Sequence, residues 1–91
     1  MSKIRASHIL CKTQPEANEV IEMLNSGESF EQLAKERSLC PSGKRGGDLG
    51  SFSRGMMVKE FEQATYNLKS GETTMAPVKT QFGWHIIKRT G

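Results

Sequence analysis

Apolar residues recur at every second position in residues 4–11, which is the spacing of a β-strand with one buried face. This alternation places His8 among the apolar side chains and Cys11 on the opposite face. His8 is therefore a candidate functional residue, although a histidine on an apolar strand face is also often a core residue with its hydrogen bonds satisfied. The residues that share the His8 face are Ile4, Ala6 and Leu10.

Three segments have the three-to-four-residue apolar spacing of amphipathic helices. The first begins near Pro15, a residue favoured in the first helical turn, and stops at Gly27. Ser29 can cap the second, with Gln32 completing an approximate capping box. The third covers residues 58–68. The predicted inward-facing residues are Ala17, Val20, Ile21 and Leu24; then Phe30, Leu33 and Ala34; and then Val58, Phe61, Thr65 and Leu68.

The remaining segments complete a small sheet. Residues 40–50 form a Gly-rich loop, and residues 51–54 predict a short strand after it. Residues 75–79 and 83–90 predict two further strands joined by a tight turn. The order strand, two helices, strand, helix and two strands predicts a single α+β domain over residues 1–91, with helices around one sheet.

Composition narrows the class of protein. The chain has 91 residues, 35% of them apolar and 25% charged, and its mean hydropathy of -0.54 is typical of a soluble globular domain. The net charge of +3 is a mild basic excess, which makes binding to nucleic acid or an anionic surface a weak alternative to a merely solvated surface. We expect no signal peptide or membrane anchor. The two cysteines make no disulfide framework and predict free thiols in a reducing cytoplasm.

Four polar residues are expected to face inward near one another. The chain's two histidines, His8 and His85, lie mid-strand, and His85 shares a strand face with Ile87. Because one short sheet carries both strands, the two rings are expected to lie close together. Cys40 opens the Gly-rich loop and Thr80 lies in the turn before the last strand. The apolar residues expected around them are Leu49, Met56, Met57, Phe61 and Phe82.

Other chemistries fit these residue types less well. Two histidines with Cys40 or Asp48 could bind zinc, but no CxxC or HxxxH spacing supports such a site. A nucleophilic Cys–His pair is a second alternative, but no oxyanion hole is recognisable. The glycines of residues 40–50 do not form a phosphate-binding loop, because the Lys-Ser/Thr ending of that motif is missing.

Several segments in order resemble the parvulin family of peptidyl-prolyl cis/trans isomerases. They are ASHIL at 6–10, CPSGKRGGDLG at 40–50, SFSRG at 51–55, MVKEF at 57–61, SGE at 70–72 and TQFGWHII at 80–87. Each segment alone is weak evidence, but together they extend from Ala6 almost to the last residue. The resemblance is to the small single-domain bacterial and archaeal parvulins. It implies the parvulin (FKBP-like) fold, a four-stranded antiparallel sheet surrounded by helices.

The resemblance also implies roles for particular positions. Met57 and Phe61 match the residues that bind the proline ring, with Leu49 near that pocket and Phe82 at its rim. The polar network beneath the pocket, and hence the implied catalytic residues, would be His8, Cys40, Thr80 and His85. In this family the histidine pair is thought to hold the geometry of the site rather than to transfer protons.

The activity implied is isomerisation of X-Pro bonds in peptides and in unfolded or partly folded proteins, by a monomer that needs no cofactor or metal. Phosphate-directed relatives carry a long basic loop after the first strand, whereas here Lys12–Pro15 is a short connection. A preference for phosphorylated substrates is therefore not expected. The alternative is a parvulin-fold binding module or chaperone that holds unfolded chains, or that attaches to an anionic membrane or nucleic acid through Lys3, Arg5, Lys88 and Arg89.

Overall fold

A computed structural model describes residues 3–91 of the chain. Its centre is a four-stranded antiparallel sheet with the strand order β2-β1-β4-β3. The expected α+β architecture and the expected order of elements are confirmed. The strands are β1 (Ile4–Cys11), β2 (Asp48–Phe52), β3 (Val78–Thr80) and β4 (Gly83–Arg89).

Helices cover both faces of this sheet. They are α1 (Gln14–Asn25), α2 (Phe30–Arg37) and α3 (Lys59–Tyr66), with a short 3₁₀ helix at Pro41–Arg45. The first two pack on one face and α3 packs on the other, as the predicted stripes require. The α1/α2 cluster contains Ile9, Cys11, Ala17, Val20, Phe30, Leu33, Ala34 and Ile86. The α3 cluster contains Ile4, Ala6, Phe52, Phe61 and Ile87.

Two predicted strands have the wrong bounds. β2 begins at Asp48 instead of residue 51, because β1 continues to pair with it past a bulge, as far as Ser7 opposite Asp48. The strand predicted at 75–79 is instead Val78–Thr80. The residues before it reach β4 by separate bonds, in which the Thr74 N–H donates to the Ile87 carbonyl oxygen at 2.8 Å and the Ile87 N–H donates to Thr74 Oγ1 at 3.1 Å.

The helix ends also differ from expectation. α3 is shorter than the predicted 58–68, and Asn67 caps its end. Ser29 caps α2 as predicted, because its Oγ accepts a hydrogen bond from the Gln32 N–H at 3.2 Å. The capping box is incomplete, since the Gln32 amide turns forward and donates to Glu36 Oε2 at 3.0 Å.

The Gly-rich segment runs directly against the backbone of β1. The His8 N–H donates to the Gly47 carbonyl oxygen at 3.0 Å, and Gly47 has a φ of +86°. A Cβ at this position would lie 2.4 Å from the His8 carbonyl oxygen. Only glycine can adopt this positive φ and also leave room for the His8 carbonyl oxygen. Gly47 therefore allows the Gly-rich loop to approach His8.

Candidate active site

The register of β1 and β4 brings the two histidines together. His8 pairs with Ile87, and His85 pairs with Leu10, so the histidines are diagonal neighbours on the α3 face of the sheet. Their rings stack with centroids 5.1 Å apart, and their Nδ1 atoms are 2.9 Å apart. The expectation that the rings lie close together is confirmed.

A chain of hydrogen bonds continues from the histidines to the β3–β4 turn. We call His8, His85 and Thr80 the histidine chain. His85 Nε2 is 2.7 Å from Thr80 Oγ1, and Thr80 Oγ1 in turn accepts the Phe82 N–H at 3.1 Å. All three residues of the chain are buried. The histidine chain therefore couples the orientation of both imidazole rings to the β3–β4 turn that carries Phe82.

Only one proton fits between the two Nδ1 atoms, because two N–H groups cannot face each other at 2.9 Å. If Thr80 donates to His85, then His85 donates to His8; if His85 donates to Thr80, then His8 donates to His85. Two neutral rings satisfy either direction. In both cases His8 Nε2 is left buried without a hydrogen-bond partner among the described residues.

Burial makes these rings difficult to protonate. Loss of hydration, followed by repulsion from His85, lowers the pKa of His8 from 6.5 to about 4. Loss of hydration likewise lowers the pKa of His85 to about 4. Both rings are therefore neutral at pH 7. A neutral pair that is already hydrogen-bonded is suited to holding geometry, not to shuttling protons.

The histidine pair predicts a specific pH dependence of stability. In the unfolded chain a histidine has a pKa near 6.5, so between about pH 6.5 and pH 4 the unfolded state binds more protons. Stability should consequently fall as the pH drops through this window. Urea unfolding followed by Trp84 fluorescence should show a lower midpoint at pH 4.5 than at pH 7.

Carboxylates also titrate near pH 4, so the rings themselves must be followed as a control. The ¹⁵N shifts of His8 and His85 in the folded protein should stay those of neutral imidazole down to about pH 5. A ring that titrates near pH 6.5 would contradict the assignment of neutral histidines.

Phe61 of α3 lies against both histidine rings. Its ring meets those of His8 and His85 edge-on, with centroids 5.5 and 5.3 Å away, and Phe52 supports it from β2 at 6.2 Å. The Phe61 side chain is buried and belongs to the core cluster on this face. Phe61 is thus both a wall of the site and a structural residue.

A cavity of about 510 Å³ opens above this arrangement, and we call it the histidine cavity. Its size falls in the range of small-ligand pockets. None of its lining side chains is a carboxylate, a lysine or an arginine. The lining residues are His8, Leu10, Leu39, Cys40, Pro41, Leu49, Met56, Met57, Val58, Phe61, Phe82 and His85.

The cavity thus includes all four predicted substrate-binding residues, Leu49, Met57, Phe61 and Phe82. Their role in binding remains a prediction. The sequence pattern does not predict that Leu39 and Pro41 belong to the site. Their position on either side of Cys40 was the available signal, but only the turn into the 3₁₀ helix aims them at the cavity.

Cys40 lies on the cavity wall but outside the histidine chain. Its N–H donates to Ser38 Oγ at 3.3 Å, and within residues 3–91 no hydrogen bond joins its sulfur to either ring. The thiol is free and half-buried. Cys40 therefore belongs to the lining of the cavity, whereas Thr80 hydrogen-bonds His85 and does not line the cavity.

The described residues bring together no three His, Cys, Asp or Glu side chains that could hold a metal ion. Asp48, the alternative to Cys40 as a third ligand, binds elsewhere: one of its oxygens accepts from Arg5 at 3.2 Å and the other from the Gly50 N–H at 2.9 Å. Nor is any helix within residues 3–91 both long and apolar enough to cross a membrane.

Comparison with known proteins shows to which protein family the chain belongs. A family model described as "Rotamase: PPIC-type PPIASE domain" matches residues 8–91. The chain therefore belongs to the PPIC-type peptidyl-prolyl cis/trans isomerases, the parvulin family, and it carries the fold of that family.

Individual relatives fall into two groups. Foldase protein PrsA of Geobacillus kaustophilus is 58% identical over 89 residues, which are 97% of this chain and 31% of the relative. The crystal structure of PrsA from Bacillus subtilis superposes with a TM-score of 0.94 at 52% identity, covering 98% of this chain and 35% of that one. The chain thus spans about a third of the length of these relatives.

The second group matches over its whole length. The solution structure of NmPin, the parvulin of Nitrosopumilus maritimus, superposes with a TM-score of 0.87 at 51% identity. The match covers 100% of this chain and 98% of that one. The likeness to the small archaeal parvulins expected from the sequence is therefore confirmed.

Proposed function

We propose that this domain isomerises X-Pro bonds in peptides and unfolded proteins without requiring a phosphate group. The observation that carries the proposal is an apolar cavity, free of charged lining side chains, directly above two buried histidines. A pyrrolidine ring fits such a cavity by its size and its lack of polar atoms, whereas a phosphate would find no cation in the lining.

Isomerisation of an X-Pro bond requires only rotation about that bond. Rotation about the peptide C–N bond meets a barrier of about 18–20 kcal/mol, because planarity carries the amide resonance. No bond forms or breaks, so a catalyst must only bind the twisted amide more tightly than either planar form. A site that needs no cofactor and no proton transfer suits this task.

In the proposed reaction the apolar cavity binds the proline ring, and the polar groups favour the twisted amide. Met57, Phe61 and Leu49 hold the proline ring, and burial of a ring of this size contributes about 1.5–3 kcal/mol to affinity. That contact is nearly the same in the planar and twisted amides. Preference for the twisted amide comes from polar atoms near the rotating carbonyl, and Cys40 on the cavity wall is the candidate. A Cys40 thiolate near that oxygen would disfavour the polarised carbonyl on which amide resonance depends, whereas a thiol that donates to it would instead stabilise the planar amide.

NMR exchange spectroscopy tests the activity directly. With an Ala-Leu-Pro peptide, catalytic amounts of the protein should produce cis/trans exchange cross-peaks that the uncatalysed reaction, taking tens of seconds, does not. A matched peptide with phosphoserine before proline should exchange more slowly, by about tenfold, because the lining offers no cation.

Two results would count against this proposal. Absence of exchange cross-peaks with every peptide would refute the enzymatic activity. Equal or faster exchange of the phosphopeptide would refute the absence of phosphate preference, while leaving the isomerase itself intact.

The rim of the cavity favours a second candidate, the holding of unfolded chains. Leu39, Met56 and Phe82 expose 63%, 65% and 61% of their surface around the opening, which is unusual for large apolar side chains. The name foldase, carried by the PrsA relatives, is consistent with this candidate. Suppression of aggregation of a proline-free client would support it, because isomerisation cannot help such a client.

Attachment to an anionic surface is less favoured by the arrangement of the basic residues. Arg5 pairs with Asp48 at 3.2 Å, and Lys88 lies 3.9 Å from Glu31. An Arg89 nitrogen donates to the Leu68 carbonyl oxygen at 2.7 Å. Of the four residues expected on this surface, only Lys3 has no such partner within residues 3–91.

We propose that the protein is a monomer, and light scattering after gel filtration would check its oligomeric state. We further propose the cytoplasm, supported by two free thiols, Cys11 buried and Cys40 half-buried. Fractionation of the source cells tests the location.

A further inference from the structure

The segment that carries Met57 has few bonds of its own. We call residues 53–57 the methionine turn; it links β2 to α3 and pairs with no strand. Within it, the Met56 N–H donates to the Ser53 carbonyl oxygen at 3.3 Å, and Ser53 Oγ contacts the Met56 sulfur at 3.4 Å. The first is a long hydrogen bond, and the second has sulfur, a weak acceptor. The turn therefore depends on a neighbour for its position.

That neighbour is Glu62, the residue after Phe61 on α3. Its Oε1 accepts the Gly55 N–H at 2.6 Å, a short bond of the charge-assisted kind. Its Oε2 lies 3.8 Å from an Arg54 guanidinium nitrogen. The Glu62 side chain is only 15% exposed, so water competes poorly for this bond. One carboxylate thus binds the backbone and a side chain of the same turn.

Arg54 makes a second link to α3. Its guanidinium carbon lies 4.1 Å from the centre of the Tyr66 ring, one helical turn beyond Glu62. The methionine turn is therefore fixed to two successive turns of the helix that carries Phe61. Glu62 and Tyr66 do not line the histidine cavity themselves.

We propose that Glu62 is a positioning residue, which holds Met57 in place in the lining of the proline pocket that it shares with Phe61. This inference rests on the proposed function. A turn released from the helix would let Met57 move relative to Phe61, so that the pocket grips the pyrrolidine ring less firmly. Because that grip is similar in the planar and twisted amides, the loss should appear mainly in KM.

The substitution Glu62→Ala should raise KM for an Ala-Leu-Pro peptide about three- to tenfold, with kcat changed less than about twofold. Glu60→Ala is the matched control. Glu60 is also acidic and in the first turn of α3, but it is exposed and outside the cavity lining. Both variants remove the same charge near the helix N-terminus, so their difference reports the contacts of Glu62 with Gly55 and Arg54 together.

Rescue by Glu62→Gln separates positioning from a general effect on folding. The glutamine oxygen can still accept the Gly55 N–H, so at least half of the wild-type kcat/KM should return although the charge opposite Arg54 is gone. A KM of Glu62→Ala within error of that of Glu60→Ala would overturn the proposal. A Glu62→Gln variant as impaired as Glu62→Ala would overturn it too.

A readout without turnover distinguishes this inference from the proposed function. In Glu62→Ala, the methyl signals of Met56 and Met57 should gain relaxation dispersion, while those of Met75 on another surface stay unchanged. Unchanged dispersion at Met57 would overturn the positioning role even if the wild type is active. An inactive wild type would refute only the proposed function.

Discussion

Replacing Phe61 by alanine is expected to abolish measurable isomerisation and to cost about 3–5 kcal/mol of unfolding free energy. The activity falls because the ring is one wall of the cavity and packs edge-on against both histidines. The stability falls because Phe61 is only 3% exposed and anchors α3 to the sheet. Urea unfolding and peptide exchange, measured on the same preparation, check both effects.

Because Phe61→Ala affects stability as well as activity, Met57→Ala is needed to test the pocket by itself. Met57 is half-buried and lines the same cavity, so its removal should reduce kcat/KM by roughly tenfold with little change in the urea midpoint. Met75→Ala is the matched control, since Met75 is 87% exposed and lies outside this cavity. Wild-type activity in a folded Met57→Ala variant would remove Met57 from the proline pocket.

Replacing Gly47 by alanine is expected to have the second largest effect, chiefly on the fold around His8. The new Cβ would lie 2.4 Å from the His8 carbonyl oxygen, so that the loop or β1 must move. The φ of +86° adds strain of about 1–2 kcal/mol for a residue with a side chain. We expect a total loss of more than about 3 kcal/mol, together with a disturbed His8–His85 hydrogen bond.

Gly50 offers a close control for this substitution. Its φ of +74° is similar, but a Cβ there would meet nothing within 4 Å. Gly50→Ala should therefore show only the conformational strain, about 1–2 kcal/mol, with the histidine ring shifts unchanged. If Gly47→Ala and Gly50→Ala lower the free energy of unfolding equally, then the positive φ alone, and not the close approach to His8, explains the need for glycine at residue 47.

Local pattern predicted the faces of the elements well. The period-two spacing placed Cys11 on the face opposite His8, and His85 on the face of Ile87, while helical spacing placed Phe61 inward. It predicted strand bounds less well. The strand predicted at 75–79 begins only at Val78, and Thr74 instead bonds β4 through its side-chain oxygen, a choice that depends on the partner strand.

The composition of the site was likewise only partly predictable. The family resemblance indicated the residues of the cavity, and the structure places all but Thr80 on its wall. Cys40 was grouped with the histidines, yet no hydrogen bond of its sulfur to them exists within residues 3–91. Glu62 carried no signal, because a glutamate in the first turn of a helix is ordinary.

The sequence by itself determined which side chains share a face, the class of fold, and the family, because these follow from local periodicity and from residue order. Tertiary structure decided the distances: the 2.9 Å between histidines 77 residues apart, and the bond from Glu62 to Gly55. The physical reason is that periodicity fixes orientation about one element's own axis. Register and contact between elements depend on how the whole sheet and its helices pack together.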